Sequence, residues 1–235
     1  CSSGDKRKLF DPVVLRVVIQ PQVNTVTKST ELDTDTRKAY AATLRNLLYS
    51  NILPDGKQAE MPAGSSSQFA VADVDADGKE KLVLLYDSGV TANSAGYIIG
   101  YDAETGNIYI QLEEFPFFVF LENGNLKALS SHNQTYGEMW PYIFYQYLPE
   151  SDSYRLAGYI HSDDQAIFDA NGVPERYPTA ADRSHTGTVY YLGDTAWSTT
   201  PMDEADYLAW LEENHGNAQE LEIEYLPLTE ESILT

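Results

Sequence analysis

Three aspartates on alternate positions, followed directly by a glycine, form the segment of this chain that is best suited to bind an ion. The aspartates are Asp73, Asp75 and Asp77, and the glycine is Gly78. Calcium takes six to eight oxygen ligands, and a tight turn with Asp at its first, third and fifth positions and Gly at its sixth can converge them. The spacing therefore predicts the front half of a calcium loop.

The segment resembles the calcium loop of FG-GAP and VCBS-type repeats over residues 73–82. The resemblance implies that Asp73, Asp75 and Asp77 bind calcium through their carboxylates. It also implies that Lys79 adds its backbone carbonyl oxygen to the ligands. All of these are oxygen donors, which hard divalent cations prefer.

The second half of the loop departs from both common calcium patterns. Leu84 replaces the bidentate Glu of an EF-hand, and Lys81 replaces the acid usual at the ninth position of the FG-GAP loop. Glu80 is the nearby substitute, although strand alternation directs it away from the face of Lys81. An ammonium at Lys81 opposes a bound cation. We expect weak, millimolar calcium binding that makes the loop a structural staple, fastening two strands to each other. The alternative is an Asp-rich turn whose side chains bond their own backbone amides.

Cys1 is the single cysteine of the chain, which excludes a disulfide framework. Small, polar residues 2–4 and the basic triplet Lys6-Arg7-Lys8 follow it, a pattern typical of the lipid-modified end of a bacterial lipoprotein. Basic residues beside a lipid would face anionic headgroups. The pattern predicts a tether over residues 1–11, lipidation at Cys1 and membrane attachment through that lipid only. The alternative is a chain trimmed at this residue by chance.

Aromatic residues are abundant, with 17 Tyr, 8 Phe and 3 Trp. Trp140 and Tyr142 lie in the aromatic segment 136–142 and could form a platform on which sugars or peptides stack. The alternative is that they fill half-buried strands, as tyrosine commonly does. The predicted partner of such a platform is an extracellular glycan or protein.

A formal charge of −21 limits the classes of partner. Such a field repels phosphates, so nucleic-acid binding is not expected. No uninterrupted apolar stretch is long enough to span a bilayer. The four histidines show no paired metal spacing, and the sequence has no G-x-S-x-G nucleophile motif. No catalytic residue is predicted.

The order of apolar and turn residues predicts an α+β fold in one domain over residues 12–235. Its expected architecture is a long antiparallel β meander, as a twisted sheet or a partly closed barrel, with two packed helices. The first helix has an apolar face formed by Tyr40, Leu44, Leu47 and Leu48. The second spans about 202–214 and has an inner face formed by Tyr207, Leu208 and Leu211.

Turn residues divide the rest of the chain into short strands. Hairpins are expected around 104–107, 123–124 and 149–153, of which Asn123-Gly124 carries the strongest turn signal. Further strands are expected at 13–19, 166–168 and 221–226, with a helical turn near the C-terminus.

These features favour a non-enzymatic lipoprotein on the cell surface, outside the cytoplasm, that binds or supports a partner. In this the chain resembles secreted lipoproteins of Gram-positive, gut-type bacteria that carry a DxDxDG loop. The alternative is an extracellular hydrolase that cleaves glycans or peptides with a carboxylate pair. The sequence contains 36 acidic residues and singles out no such pair.

Overall fold

The structure, a computed structural model, describes residues 34–195 and 198–234. This part of the chain forms four α-helices and eleven β-strands. The helices are α1 (Thr34–Ser50), α2 (Gln165–Ala170), α3 (Glu204–Asn214) and α4 (Glu230–Ile233). The strands are β1 (Gln68–Ala72), β2 (Lys81–Tyr86), β3 (Ala95–Asp102), β4 (Asn107–Glu114), β5 (Phe118–Phe120), β6 (Leu126–Leu129), β7 (Tyr142–Leu148), β8 (Ser153–Asp164), β9 (Thr188–Gly193), β10 (Pro201–Asp203) and β11 (Leu226–Pro227).

The first sheet has five antiparallel strands in the order β11, β1, β2, β3, β4. Leu82 and Leu84 on the central strand β2 pack in a cluster with α1. Val83, between them, packs in a different cluster that includes the second sheet. A strand buried on both faces has a continuous apolar sequence rather than an alternating one, which explains the run from Leu82 to Tyr86.

The second sheet has six antiparallel strands in the order β10, β9, β8, β7, β6, β5. The helix α3 packs against it. The ring of Tyr207 stacks on Tyr190 with 4.0 Å between centroids, and Trp210 meets Phe144 edge-on. Such aromatic pairs stabilise a fold by about 0.5–1.5 kcal/mol beyond their buried area.

The two sheets share a core. Val83 and Ile98 of the first sheet pack in one cluster with Phe120 and Tyr145 of the second. Burying a large apolar side chain contributes about 1.5–3 kcal/mol, so this cluster holds the sheets together. Alternate residues of a strand share a face, and Lys81, which is two residues before Val83, therefore lies on the face of β2 that points to the second sheet.

The α+β fold is confirmed, and the described strands form two open sheets rather than a closed barrel. The hairpins predicted at 104–107, 123–124 and 149–153 are confirmed as the connections of β3 to β4, β5 to β6 and β7 to β8. Their register is antiparallel, as tight turns require.

Two predicted strands are wrong. Residues 166–168 lie in α2, where a helical turn buries Phe168 against Tyr136 and Tyr177. Residues 221–225 form no strand, and only Leu226–Pro227 pairs with β1. The alternation of apolar residues in this segment does reflect burial, because Leu221, Ile223 and Tyr225 pack on the core between the sheets. The segment lacks the hydrogen-bonded ladder that would make it a strand.

Both predicted helices are confirmed, with one error in the second. In α1, Tyr40, Leu44 and Leu47 are buried as expected, and Leu48 packs beside them. Although α3 was expected from Met202, it begins at Glu204 with Asp203 as its N-cap. The inward position predicted for Leu208 is wrong, since its side chain is exposed; Tyr207, Trp210 and Leu211 form the packed stripe, as i, i+3, i+4 spacing requires. The predicted C-terminal helical turn is confirmed as α4.

The tether over residues 1–11, Cys1 and the strand at 13–19 lie outside the described residues. Lipidation at Cys1 and a cell-surface location therefore stay predictions. Among the described helices, none has both the length and the apolar character to cross a bilayer.

Candidate cation site

The acidic loop, residues 73–80, connects β1 to β2 at one end of the first sheet. Carboxylate oxygens of Asp73, Asp75 and Asp77 lie within 4.8 Å of one another. They form the single such cluster of His, Cys, Asp and Glu in the part of the chain that the structure describes. The three predicted aspartates are thus brought together in a group that could hold a metal ion.

The side chain of Lys81 enters this cluster from the first residue of β2. Its Nζ lies 2.9 Å from Asp75 Oδ2 and 3.1 Å from Asp75 Oδ1, and 2.8 Å from Asp77 Oδ2. The carbonyl oxygen of Lys79 lies 3.4 Å from the same nitrogen. The Lys81 side chain is only 2% exposed. An ammonium is therefore enclosed by oxygens of the loop.

The conformation of the loop follows from its aspartates and its glycine. Gly78 has φ +84°, the left-handed region in which a glycine carries no steric cost. Its amide donates to Asp73 Oδ2 at 3.0 Å, and the Lys79 amide donates to Asp77 Oδ1 at 2.7 Å. These are the turns predicted as the alternative to a calcium loop, in which Asp side chains bond nearby amides. The loop combines both features, a cluster of carboxylates and a self-bonded turn.

A second layer of polar groups connects the loop to other strands. Gln111 on β4 donates through Nε2 to Asp75 Oδ2 at 2.8 Å and to Asp152 Oδ1 at 2.5 Å. Asp152 lies in the turn between β7 and β8 of the second sheet, where it accepts hydrogen bonds from Tyr109 and Tyr147. Asp75 thus bonds a lysine on β2 and a glutamine on β4, both in the first sheet, and the glutamine also bonds Asp152 of the second sheet. The network joins the two sheets as well as β1 and β2.

The turn between β5 and β6 also touches the loop. Gly124 has φ +84°, and a Cβ added there would lie 2.9 Å from the carbonyl carbon of Asp75 and closer still to its oxygen. Only a glycine permits both this backbone conformation and this approach. The strong turn signal at Asn123-Gly124 is therefore also a contact between the second sheet and the loop.

The electrostatics of the network favour a charged lysine. Desolvation pulls the pKa of Lys81 down, but the carboxylates of Asp77 and Asp75 outweigh it, and the net pKa is raised. Burial raises the pKa of Asp75, against hydrogen bonds from Gln111 and Lys81. Burial also acts to raise the pKa of Asp152, but hydrogen bonds from Tyr109 and Tyr147 lower it overall. At neutral pH Lys81 therefore carries its proton within the aspartate cluster.

The other two predicted ligands, Lys79 and Glu80, occupy different positions relative to the aspartate cluster. The Lys79 carbonyl oxygen does face the site, as the resemblance implies, and it faces Lys81 Nζ. Glu80 uses its backbone carbonyl oxygen to accept a hydrogen bond from Tyr40 of α1 at 3.0 Å, and the clustered carboxylates are those of the three aspartates alone within the described residues. Sequence reasoning missed Gln111 and Asp152, which carry no local signal because they lie on distant segments.

The structure separates the two residues of the predicted aromatic platform. Trp140 is 46% exposed, and its Nε1 donates to the Ser130 carbonyl oxygen at 2.7 Å. Tyr142 is buried, and its hydroxyl lies 2.9 Å from that of Tyr207 on α3. Tyr142 is thus a core residue, while the indole of Trp140 is oriented at the surface.

A second exposed aromatic lies at the same end of the second sheet. Phe117 is 53% exposed, and its carbonyl oxygen accepts a hydrogen bond from the Leu129 amide, next to Ser130. Phe117 precedes β5, and Trp140 precedes β7, on either side of β6. The strands β5 and β7 themselves lie two strand spacings apart, about 10 Å. We call Phe117 and Trp140 the aromatic pair.

Known proteins offer no guide to this arrangement. Comparisons with protein-family models, with curated proteins and with solved structures find no match. What the chain does is therefore inferred from its own geometry.

Proposed function

We propose that this chain is a non-enzymatic binding module, with a glycan as its partner, in which the acidic loop is a structural staple. The observation that carries the proposal is the setting of Trp140. Its indole N–H is satisfied by the Ser130 carbonyl oxygen while nearly half of the side chain is exposed. A ring whose polar atom is already bonded inward presents an apolar face at low entropic cost.

The surroundings of the aromatic pair support a sugar as the partner. Ser131 and His132, which follow the β6 end between Phe117 and Trp140 in the chain, are exposed. A sugar ring has an apolar face that stacks on an aromatic ring, and hydroxyl groups that such polar side chains can bond. The overall charge of −21 favours a neutral or cationic glycan over an anionic one.

Replacing Trp140 with Ala should abolish glycan binding, and replacing Phe117 with Ala should weaken it at least about tenfold, because buried aromatic anchors carry most of the energy of such contacts. A glycan array identifies ligands of the wild-type protein, and calorimetry on the best ligand measures the dissociation constants. Both side chains lie at the surface, so the melting temperature should change little.

The matched control is Leu208→Ala, which removes an equally exposed apolar side chain on α3 and should leave binding unchanged. An array without wild-type ligands, or unchanged affinity in Trp140→Ala, contradicts the glycan assignment. Loss of stability without a specific loss of affinity would assign Trp140 to the core instead. Capture of a defined protein that depends on Trp140 would make the partner a protein.

The staple part of the proposal requires a cation among the carboxylates. The sequence predicts calcium, bound weakly by Asp73, Asp75 and Asp77, and calorimetry with calcium in the millimolar range tests that prediction. The contacts that support a staple are those of Asp75, which reach Lys81 on β2 and Gln111 on β4. Through Gln111 they extend to Asp152 of the second sheet.

The alternative, a hydrolase, ranks second because two candidate carboxylates, Asp164 and Asp75, already accept hydrogen bonds through both of their oxygens. An open groove beside α2 is lined by Glu138, Asp164 and Asp169. Asp164 accepts hydrogen bonds at 2.7 Å from Thr188 Oγ1 and from the Glu138 amide. A carboxylate pair for hydrolysis needs one acid with a raised pKa. Burial raises the pKa of Asp75, but both oxygens of that carboxylate bond Lys81.

A further inference from the structure

We propose that the resident cation of the acidic loop is the ammonium of Lys81, so that the staple works without calcium. The inference rests on the staple proposed above and names the ion that holds it. It concerns the identity of the cation only, and it is independent of the glycan partner.

The oxygens around Lys81 Nζ are largely those that the sequence assigns to calcium. Asp75, Asp77 and the carbonyl of Lys79 all face this nitrogen, at 2.8–3.4 Å. These distances suit hydrogen bonds from an ammonium, whereas calcium ligands lie at about 2.3–2.6 Å. An ammonium has three protons to donate, and carboxylate and carbonyl oxygens accept them.

The position of Lys81 in the chain explains how the ammonium reaches the site. The loop ends where β2 begins, and Lys81 is the first residue of that strand. Its side chain shares the face of Val83, on the side of the second sheet. The cation is thus covalently attached to the strand that it fastens, and no ion has to be captured from solution.

Burial makes this cation difficult to replace. The side chains of Lys81 and Asp75 are 2% and 0% exposed, and that of Asp77 is 14% exposed. Calcium at the same place would meet the positive charge of Lys81 at short range, which is strongly unfavourable where water is excluded. To admit calcium, the buried ammonium would have to leave its three carboxylate contacts.

The inference predicts opposite responses to calcium in the wild type and in Lys81→Met, which keeps the length of the side chain and removes its charge. The wild-type melting temperature should be the same in 10 mM calcium and in EGTA, with no heat of binding. Lys81→Met should melt on the order of 10 °C lower in EGTA. Calcium should then raise its melting temperature by about 3 °C or more, since the carboxylates now lack a cation.

The matched control is Lys38→Met, a lysine on α1 whose ammonium pairs with Asp35 at 3.1 Å while both side chains are exposed. It should melt close to the wild type and ignore calcium, because exposed ion pairs contribute little. A wild-type protein that binds calcium overturns the inference. A Lys81→Met protein that is as stable as the control, or that calcium does not stabilise, also overturns it.

If Lys81→Met does not fold, the nuclear magnetic resonance signal of the Lys81 ammonium in the wild type tests the inference instead. With ¹⁵N-labelled lysine, the Nζ of Lys81 should give a slowly exchanging ammonium signal that stays in place when calcium reaches 10 mM. Loss or movement of this signal on addition of calcium contradicts the inference. If Asp75 can be removed without loss of stability, the proposal of a structural staple is wrong. If stability is lost but the responses to calcium differ from those predicted, the staple stands and its cation is wrongly assigned.

Discussion

Replacing Asp75 with Ala should lower the free energy of unfolding by about 3–5 kcal/mol, the usual cost of removing one partner from a buried ion pair. The carboxylate bonds Lys81 through both oxygens and also accepts from Gln111. Its removal takes away two of the three carboxylate oxygens that contact the buried ammonium, and Gln111 keeps only its contacts to Asp152. Urea unfolding followed by circular dichroism measures the effect.

The control for Asp75 lies in the same loop. Asp73 is exposed and bonds the Gly78 amide, so Asp73→Ala should cost only about 1 kcal/mol, the net contribution of one hydrogen bond. Similar losses in the two variants would show that the loop is a local turn without a role in joining the sheets.

Replacing Gly124 with Ala should cost about 3 kcal/mol, from two independent sources. A left-handed conformation disfavours any L-residue by about 1–2 kcal/mol. The added Cβ also meets the backbone carbonyl of Asp75, which cannot rotate away as a side chain can, and overpacking of this kind costs about 1–3 kcal/mol. Thermal unfolding of the variant measures the sum.

Gly56 provides the comparison for Gly124, because it has φ +82° and an added Cβ would meet nothing within 4 Å. Gly56→Ala should therefore show the conformational cost alone, about 1 kcal/mol. The difference between the two variants isolates the contact between the β5–β6 turn and the acidic loop. Equal losses would contradict that contact.

Local patterns predict much of this fold, because turns and helix faces are local. The Asn123-Gly124 hairpin and the buried face of α1 follow from neighbouring residues, and both are confirmed. The strands predicted at 166–168 and 221–226 are wrong because those predictions also use local spacing alone. Apolar spacing indicates which residues are buried, and burial alone does not distinguish a strand from a helical turn or from an extended segment without a ladder.

Local sequence likewise predicts one part of the candidate site and misses the other. The cluster of Asp73, Asp75 and Asp77 could be predicted because its residues are close in sequence. The partners of Asp75 could not, since Gln111 lies 36 residues away and pairs with Asp75 only once the strands are in register. The sequence did indicate that Lys81 opposes a bound cation; the structure adds that its ammonium lies among the oxygens themselves.

An internal cation would suit a module whose function depends on a fixed surface. A loop that needs calcium responds to its concentration, whereas a loop fastened by Lys81 does not depend on calcium. Gln111 and Gly124 connect this loop to the second sheet, which carries the aromatic pair near the opposite end of β6.

A double-mutant cycle between Asp75 and Lys81 tests the central claim most directly. The free energies of unfolding of Asp75→Asn, Lys81→Met and the double variant are compared with that of the wild type by urea denaturation. We predict that the double variant loses less than the sum of the single losses by about 2–3 kcal/mol, because Asp75→Asn removes one of the two carboxylates at the buried ammonium and Lys81→Met leaves both carboxylates without their cation. Losses that add to within about 0.5 kcal/mol would contradict the claim that this ion pair holds the staple.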